Sequence, residues 1–203
     1  AQYLPLAEEW SAKGCRVLLL ALYDGNLSDE APTAGLLPLA LILLSNRIRP
    51  EAPETFSYFA AQGVKTKVIS GDNPLTVAEV ARRAGIPDAD QYVDARTLKT
   101  DEQLARAAEE KTIFGRVTPD QKKKLVRAMK AAGHTVAMTG DGVNDVLALR
   151  EADCSIAMAS GSGVACQASH IVLLDSQFSA MPSVVAEGRR VINNIERSAA
   201  LYL

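Results

Sequence analysis

The stretch MTGDGVND, residues 138–145, places two aspartates, an asparagine and two glycines between two apolar patterns. Residues 135–138 predict a short strand, and residues 146–152 predict the first turns of a helix. Carboxylates held this close repel each other unless a cation or a proton intervenes. Mg²⁺ prefers one or two carboxylates together with phosphate oxygens and water. The stretch therefore predicts a magnesium-binding loop at a strand end, with candidate residues Asp141, Asn144 and Asp145.

The composition bounds the class of protein. The chain has 203 residues, of which 48% are hydrophobic and 23% charged, which suits one domain or one domain plus part of another. A net charge of −2 gives no basic footprint, so we expect no nucleic-acid partner. The three cysteines form no CxxC pair and are typical of reduced thiols in an intracellular domain.

No apolar run reaches the roughly 20 residues that a membrane helix needs. The longest run, GLLPLALILL at residues 35–44, predicts a strand, and this stretch of chain is expected to be soluble. The chain opens in the middle of a pattern and closes on apolar residues without a helix stop. We therefore interpret it as part of a longer protein.

Strand and helix patterns alternate along the chain. Strands are predicted at residues 16–23, 36–44, 66–70, 112–115, 135–138, 154–158 and 171–174. Helices are predicted at residues 5–13, 50–63, 74–84, 100–110, 118–133 and 146–152, two of them starting with capping boxes (Thr100 with Gln103, Thr118 with Gln121). This alternation predicts an α/β fold in which helices cover both faces of a parallel sheet.

Two further polar loops follow predicted strands, at the sheet edge where ligands bind in such folds. ISGDNPLT, residues 69–76, offers the Ser70 hydroxyl and bare backbone N–H groups at a helix start, which suits an anion. A plain turn capped by Asp72 or Asn73 explains the same residues.

The second loop, GRVTPDQKKK at residues 115–124, carries three lysines on the first turns of a helix. A solvated basic face is one interpretation. A lysine aimed at a phosphate is the other, because cations in a first turn oppose the helix dipole. Together the three loops supply a hydroxyl, a lysine and a magnesium carboxylate, the components of a phosphoryl-transfer site. A carboxylate nucleophile to accept the phosphoryl group is the missing component.

Three segments of the chain resemble the second, third and fourth motifs of the haloacid dehalogenase superfamily, in the form seen in P-type cation-transporting ATPases. These are ISGDNPLT, FGRVTPDQK (residues 114–122) and MTGDGVNDVLALREAD (residues 138–153). KGCRVLLLA, IRPEAPET and the segment from SGSGVACQ to NNIERS extend the likeness over nearly the whole chain. The resemblance implies a haloacid dehalogenase-like, Rossmann-like fold and the use of ATP and Mg²⁺.

The resemblance also implies roles for individual residues. Ser70 would be the phosphate-binding hydroxyl, Lys122 the cation that neutralises the phosphoryl group, and Asp141 the Mg²⁺ ligand. Asn144 and Asp145 would order the site. The residues implied to help hold ATP are Arg16, Arg49, Gly71 and Asp72. Asn46 and His170 stand where the family often has acidic residues.

The domain organisation that follows is also implied by the resemblance. Residues 1–45 would end the nucleotide-binding domain, 46–188 would form the phosphorylation domain, and 189–203 would begin the stalk of the fifth membrane helix. The DKTGT motif, whose aspartate accepts the phosphoryl group in this family, does not occur in the sequence. We therefore expect a catalytic segment from the cytoplasmic side of a membrane pump for calcium or another cation, inactive by itself.

Two alternatives stay open. One is a self-contained haloacid dehalogenase-type phosphatase, with Asp24 after the strand RVLLLALY as nucleophile. Asn26 stands where that superfamily has a second aspartate, and Asp24-Gly25-Asn26 is also typical of a hairpin turn. The other is a module that binds nucleotide or Mg²⁺ without catalysis.

Overall fold

The computed structural model describes residues 3–25, 35–45 and 47–201. Its strands are β1 Cys15–Tyr23, β2 Leu36–Ser45, β3 Val68–Ile69, β4 Tyr92–Asp94, β5 Ile113–Gly115, β6 Ala137–Gly140, β7 Cys154–Met158 and β8 Ile171–Leu173. Its α-helices are α1 Leu4–Ala12, α2 Ala52–Ala61, α3 Pro74–Arg83, α4 Asp101–Glu110, α5 Pro119–Ala131, α6 Val146–Glu151, α7 Gly163–Ala168 and α8 Met181–Ala199. Short 3₁₀ helices cover Ala95–Thr97, Val143–Asp145 and Phe178–Ala180.

The parallel strands fall into two sheets. One has the order β3-β5-β4 and the other β6-β7-β8, while β1 and β2 form a separate antiparallel pair. The predicted α/β class is confirmed, but the expectation of one sheet is corrected. Within the described residues, β3 and β6 each have a hydrogen-bonded neighbour on one side only, so each is an edge strand.

Helices cover both faces of the parallel strands, as predicted. Successive residues of a strand point to opposite faces, and β5 illustrates this. The Ile113 side chain packs in a cluster with residues of α3, and the Phe114 side chain packs in a second cluster with residues of α4, α5 and α6. Met138 of β6 belongs to the second cluster, so one apolar core joins the two sheets.

The helix starts follow the predicted capping chemistry. The hydroxyls of Thr100 and Thr118 accept hydrogen bonds from the backbone N–H groups three residues later, and both capping boxes are complete. Of the two candidate caps for α3, Asn73 fills the role, because its side chain accepts a hydrogen bond from the N–H of Leu75 at 3.0 Å. These contacts satisfy helix N–H groups that would otherwise lack partners.

One predicted strand needs correction, and one strand was missed. The strand predicted at residues 135–138 begins at Ala137 and runs to Gly140, so it leads directly into Asp141. Val136 is not part of the strand, and its N–H donates to the side chain of Asp153, at 2.9 Å from Oδ2. Strand β4 was not predicted, since its three residues are too few to show alternation.

Candidate active site

The loop after β6 is built around a buried carboxylate. Asp145 is 8% exposed, and its Oδ2 accepts a hydrogen bond from the Gly142 N–H at 3.1 Å. A Cβ atom at Gly140 would lie 2.6 Å from the Cβ of Asp145, so this approach requires glycine. The glycines of the motif thus allow the loop to fold back on its own aspartate.

Asp145 forms an ion pair with Lys122. The Lys122 Nζ lies 2.6 Å from Asp145 Oδ1, and the two side chains are 13% and 11% exposed. Lys124 instead pairs with Asp101 at the surface, at 3.0 Å. Of the first-turn lysines of α5, Lys122 therefore contacts the aspartate loop. Removing two charges from water is costly unless they remain paired, so each residue fixes the other.

Asp141 is held by its backbone and leaves its carboxylate exposed. The Ser162 N–H donates to the Asp141 carbonyl oxygen at 2.7 Å. A Cβ atom at Gly161 would lie 2.5 Å from that same oxygen, so the two loops are in close contact. In the described part of the chain, no side chain donates to the Asp141 carboxylate or pairs with it.

The donor set suits Mg²⁺ bound together with a phosphate. Within residues 3–25, 35–45 and 47–201, no three His, Cys, Asp or Glu side chains form a group that could enclose a metal. Mg²⁺ does not need one, since it binds through one or two carboxylates plus phosphate oxygens and waters. Asp141 is the exposed carboxylate at the end of β6 and fits that role.

Ser70 lies in the tight turn of residues 70–73, named here the serine turn. The Ser70 N–H donates to the Phe114 carbonyl at 2.9 Å, and the Ser70 Oγ accepts a hydrogen bond from the Asp72 N–H at 3.1 Å. The turn leads into α3, a ten-residue helix. Its backbone N–H groups and its hydroxyl lie at a helix N-terminus, where an anion is favoured.

Three of the four predicted nucleotide-binding residues surround one cavity. Arg16, Gly71 and Asp72 line a cavity of about 330 Å³, and Arg16 Nη1 lies 3.6 Å from Asp72 Oδ1. Both side chains are largely exposed, so this pair adds little stability by itself. Thr76 of α3 ties the region to β1, since its hydroxyl donates to the Cys15 carbonyl at 3.2 Å.

Arg49, the fourth, lies elsewhere. It lines a second cavity of about 310 Å³ together with Asp141, and its Nη1 donates to the Ser176 carbonyl at 3.2 Å. The predicted nucleotide set is therefore divided between two cavities. Asn144 is exposed in the 3₁₀ helix that precedes α6.

Sequence reasoning missed four residues that shape the site. Gly161 and Ser162 hold the backbone of Asp141, and Arg116 and Asp94 hold the serine turn. The glycine-serine repeat SGSG, residues 160–163, was a sequence signal for the first pair. The second pair is separated by 22 positions and follows a strand that the pattern did not reveal.

Comparison with known proteins identifies the family to which the chain belongs. The family model of haloacid dehalogenase-like hydrolases matches residues 7–153. The chain is 49% identical over 202 residues, 98% of its length, to the probable cation-transporting ATPase exp7 of Streptococcus pneumoniae. It is 52% identical over 198 residues, 97% of its length, to the calcium-transporting ATPase CtpE of Mycobacterium bovis. These matches confirm the resemblance drawn from the motifs.

The chain spans about a quarter of the length of these relatives, 26% and 25% respectively. A crystal structure of a zinc-transporting PIB-type ATPase in the E2.Pi state matches 96% of this chain and 26% of that one, with a TM-score of 0.66 at 24% identity. This likeness supports the fold. In the described part of the chain, no helix has both the length and the apolar character that a membrane crossing requires.

Proposed function

The chain belongs to the haloacid dehalogenase-like hydrolase family, and from that premise we propose that it is the phosphoryl-transfer segment of an ATP-driven cation pump. The observation that carries the proposal is the buried Lys122–Asp145 pair beside the exposed carboxylate of Asp141. Preorganised charges of this kind stabilise a phosphoryl group in transfer.

Each side chain has a separate task in this proposal. Lys122 stabilises the negative charge on the phosphoryl oxygens, and Asp145 keeps the Lys122 ammonium in place. The Ser70 hydroxyl and the Gly71 N–H bind another phosphoryl oxygen, because the N–H groups of Ser70 and Asp72 already donate to the Phe114 carbonyl and to Ser70 Oγ. Asp141 would hold Mg²⁺, which supplies further charge neutralisation when bound. Asn144, next to Asp145 in the 3₁₀ helix, would order the loop.

The acceptor is an aspartate on a strand supplied by another part of the protein. β3 and β6 are both edge strands, and Ile69 of β3 packs against the same apolar cluster that contains Met138 of β6. A parallel strand between them would bring its carboxyl end between Ser70 and Asp141. Its carboxylate oxygen would attack the γ-phosphorus of ATP, form an acyl phosphate and release ADP.

The remaining assignments rest on the relatives. ATP would lie against Arg16, Gly71 and Asp72, with Arg49 near Asp141. Residues 1–45 would close the nucleotide-binding domain, 46–188 would form the phosphorylation domain, and 189–203 would lead towards a membrane helix. The whole protein would lie in the cell membrane, with this segment on the cytoplasmic side. It would transport calcium or another cation bound outside this segment.

The geometry disfavours a self-contained phosphatase. Asp24 follows β1, whose one partner among the described strands is the antiparallel β2, in a pair separate from the parallel sheets. A nucleophile there would not share a strand edge with Ser70 and Asp141. Asn26 lies outside the described residues. The non-catalytic module differs from the pump in one respect: it would bind Mg²⁺ and nucleotide without forming a phosphoenzyme.

Phosphoenzyme formation tests the proposal. The full-length protein, incubated with Mg²⁺ and γ-labelled ATP, is expected to form a base-labile acyl phosphate. The 203-residue chain alone is expected to form none, and a version extended upstream through the DKTGT aspartate is expected to recover it. Label on the 203-residue chain that disappears in Asp24→Asn would establish a phosphatase instead. Nucleotide binding without label in the full-length protein would establish the non-catalytic module.

A further inference from the structure

Arg116 adopts an unusual backbone conformation beside the serine turn. Its φ is +54°, in the left-handed region that side chains with a Cβ rarely occupy. In this conformation two successive N–H groups reach the serine turn. The Arg116 N–H donates to the Asp72 carbonyl at 2.8 Å, and the Val117 N–H donates to the Ser70 carbonyl at 3.0 Å.

The side chain of Arg116 is also fixed. Its Nη1 donates to Asp94 Oδ2 at 3.0 Å, at the carboxyl end of β4, and the Asp94 side chain is only 21% exposed. Arg96 holds the same carboxylate through its backbone N–H, its Nε and its Nη2, at 3.0, 3.1 and 2.8 Å. Arg96 therefore holds the Asp94 carboxylate in the position where it accepts the hydrogen bond from Arg116.

We propose that Asp94 is a positioning residue for phosphoryl transfer: by holding the Arg116 guanidinium, it keeps the Arg116 backbone in the left-handed conformation that clamps the serine turn. Glycine adopts this conformation freely, whereas arginine needs an external restraint. The restraint comes from a third strand, so the serine turn is fixed by β4 as well as by β3 and β5. This inference deepens the proposed function and rests on it.

The clamp makes a prediction about backbone amides. In the full-length protein, Asp94→Ala is expected to raise hydrogen exchange at the Arg116 and Val117 amides on the order of tenfold, because it removes the charge-assisted hydrogen bond that restrains Arg116. Peptides from β7 should keep their exchange rates. The rate of phosphoenzyme formation should fall, while the Mg²⁺ concentration for half-maximal rate stays unchanged, because Asp141 lies on another loop.

A double substitution separates positioning from general packing. Arg116→Gly takes the left-handed conformation without Asp94, so adding Asp94→Ala to Arg116→Gly should not raise amide exchange further. Arg116→Ala has no such freedom and should raise exchange as Asp94→Ala does. The inference would be overturned if Asp94→Ala raised amide exchange equally in all peptides. It would also be overturned if Asp94→Ala raised exchange as much on the Arg116→Gly background as in the unsubstituted protein. If the unsubstituted full-length protein forms no phosphoenzyme, the proposed function fails while the exchange results still decide the role of Asp94.

Discussion

Lys122 and Asp145 show how one buried pair links stability to chemistry. Either side chain alone would be an unpaired charge with little contact to water. The pair orients Lys122 at the helix start, while the neighbouring Asp141 carboxylate has no ion-pair partner among the described residues. The Lys122–Asp145 pair thus holds the Lys122 ammonium in place at all times, whereas the proposed Mg²⁺ site at Asp141 forms only when a phosphate also binds.

We predict that, among Lys122, Lys123 and Lys124, substitution of Lys122 causes the largest loss of stability and activity. Lys122→Ala should lower the unfolding free energy of the full-length protein by about 3–5 kcal/mol, because it leaves Asp145 buried without an ion-pair partner. It should also slow phosphorylation on the order of 10²–10³-fold. Lys123→Ala and Lys124→Ala should change unfolding free energy by roughly 0.5 kcal/mol or less.

The stability loss and the rate loss can be separated. Lys122→Met combined with Asp145→Asn removes both charges. The unfolding free energy should therefore return towards that of the unsubstituted protein, while the phosphorylation rate stays low. Recovery of both quantities together would show that Lys122 acts on stability only. A larger rate loss in Lys123→Ala than in Lys122→Ala would identify a different phosphate-binding lysine.

Asp141→Asn is predicted to abolish Mg²⁺-dependent phosphorylation in the full-length protein and to leave stability nearly unchanged. Among the described residues, the Asp141 carboxylate has no hydrogen-bond or ion-pair partner to lose. Asp120→Asn, which removes a carboxylate that is 70% exposed on α5, is the matched control and should retain activity. Isothermal titration with Mg²⁺ in the presence of orthovanadate measures the binding loss. Near-normal turnover in Asp141→Asn would assign the metal to another ligand.

At the scale of elements, Asp153 connects α5 with the residue that precedes β6. Its carboxylate accepts the Val136 N–H at 2.9 Å and contacts Lys130 Nζ at 3.1 Å. The hydrogen bond from the Val136 backbone, followed by Lys130, lowers the pKa of Asp153 below its ordinary value. The ionised form is therefore favoured in the folded protein.

The sign of the resulting pH dependence follows from linkage. Stabilisation by Asp153 is complete above the unfolded pKa, about 3.9 for an aspartate, and is lost as pH falls through the lowered folded value. Asp153→Asn should therefore reduce stability at neutral pH and flatten its decline in acid. Chemical denaturation at several pH values measures both, with Asp120→Asn as control. An unchanged acid slope would contradict the assignment.

Local chemistry predicted most elements, and long-range contacts decided the rest. The capping boxes at Thr100 and Thr118 were readable because every partner lies within three residues. The start of β6 was not, because Asp153, 17 positions away, occupies the Val136 N–H. The left-handed Arg116 also could not be predicted, since arginine has no preference for that conformation and its restraint comes from β4.

The site was predicted to a similar extent. Sequence motifs identified Ser70, Lys122 and Asp141 as residues at strand ends or helix starts, but they did not predict the contact between Lys122 and Asp145. The nucleotide set was less predictable, because Arg49 reaches Ser176 rather than the cavity of Arg16 and Asp72. The phosphate and metal roles stay predictions.

At the scale of the whole molecule, the β1–β2 pair presents apolar side chains on both faces. Leu18, Leu19 and Leu20 are consecutive, point to alternate faces and are each 41–50% exposed. Leu37 and Leu39 of β2 are 60% and 58% exposed. A contiguous apolar surface of this kind marks an interaction site or an aggregation hazard.

We therefore predict that the purified 203-residue chain self-associates through this pair at micromolar concentration. Leu37→Ser with Leu39→Ser should lower the association measured by light scattering, because it removes apolar area without touching the parallel sheets. Leu174→Ser is the matched control, since Leu174 is 87% exposed after β8 and lies outside the pair, and it should leave association unchanged. In the full-length protein the same double substitution should instead lower the unfolding free energy, because there the pair would be covered by the rest of the nucleotide-binding domain. A monomeric 203-residue chain, or equal relief by Leu174→Ser, would show that the exposed leucines of β1 and β2 need no covering partner.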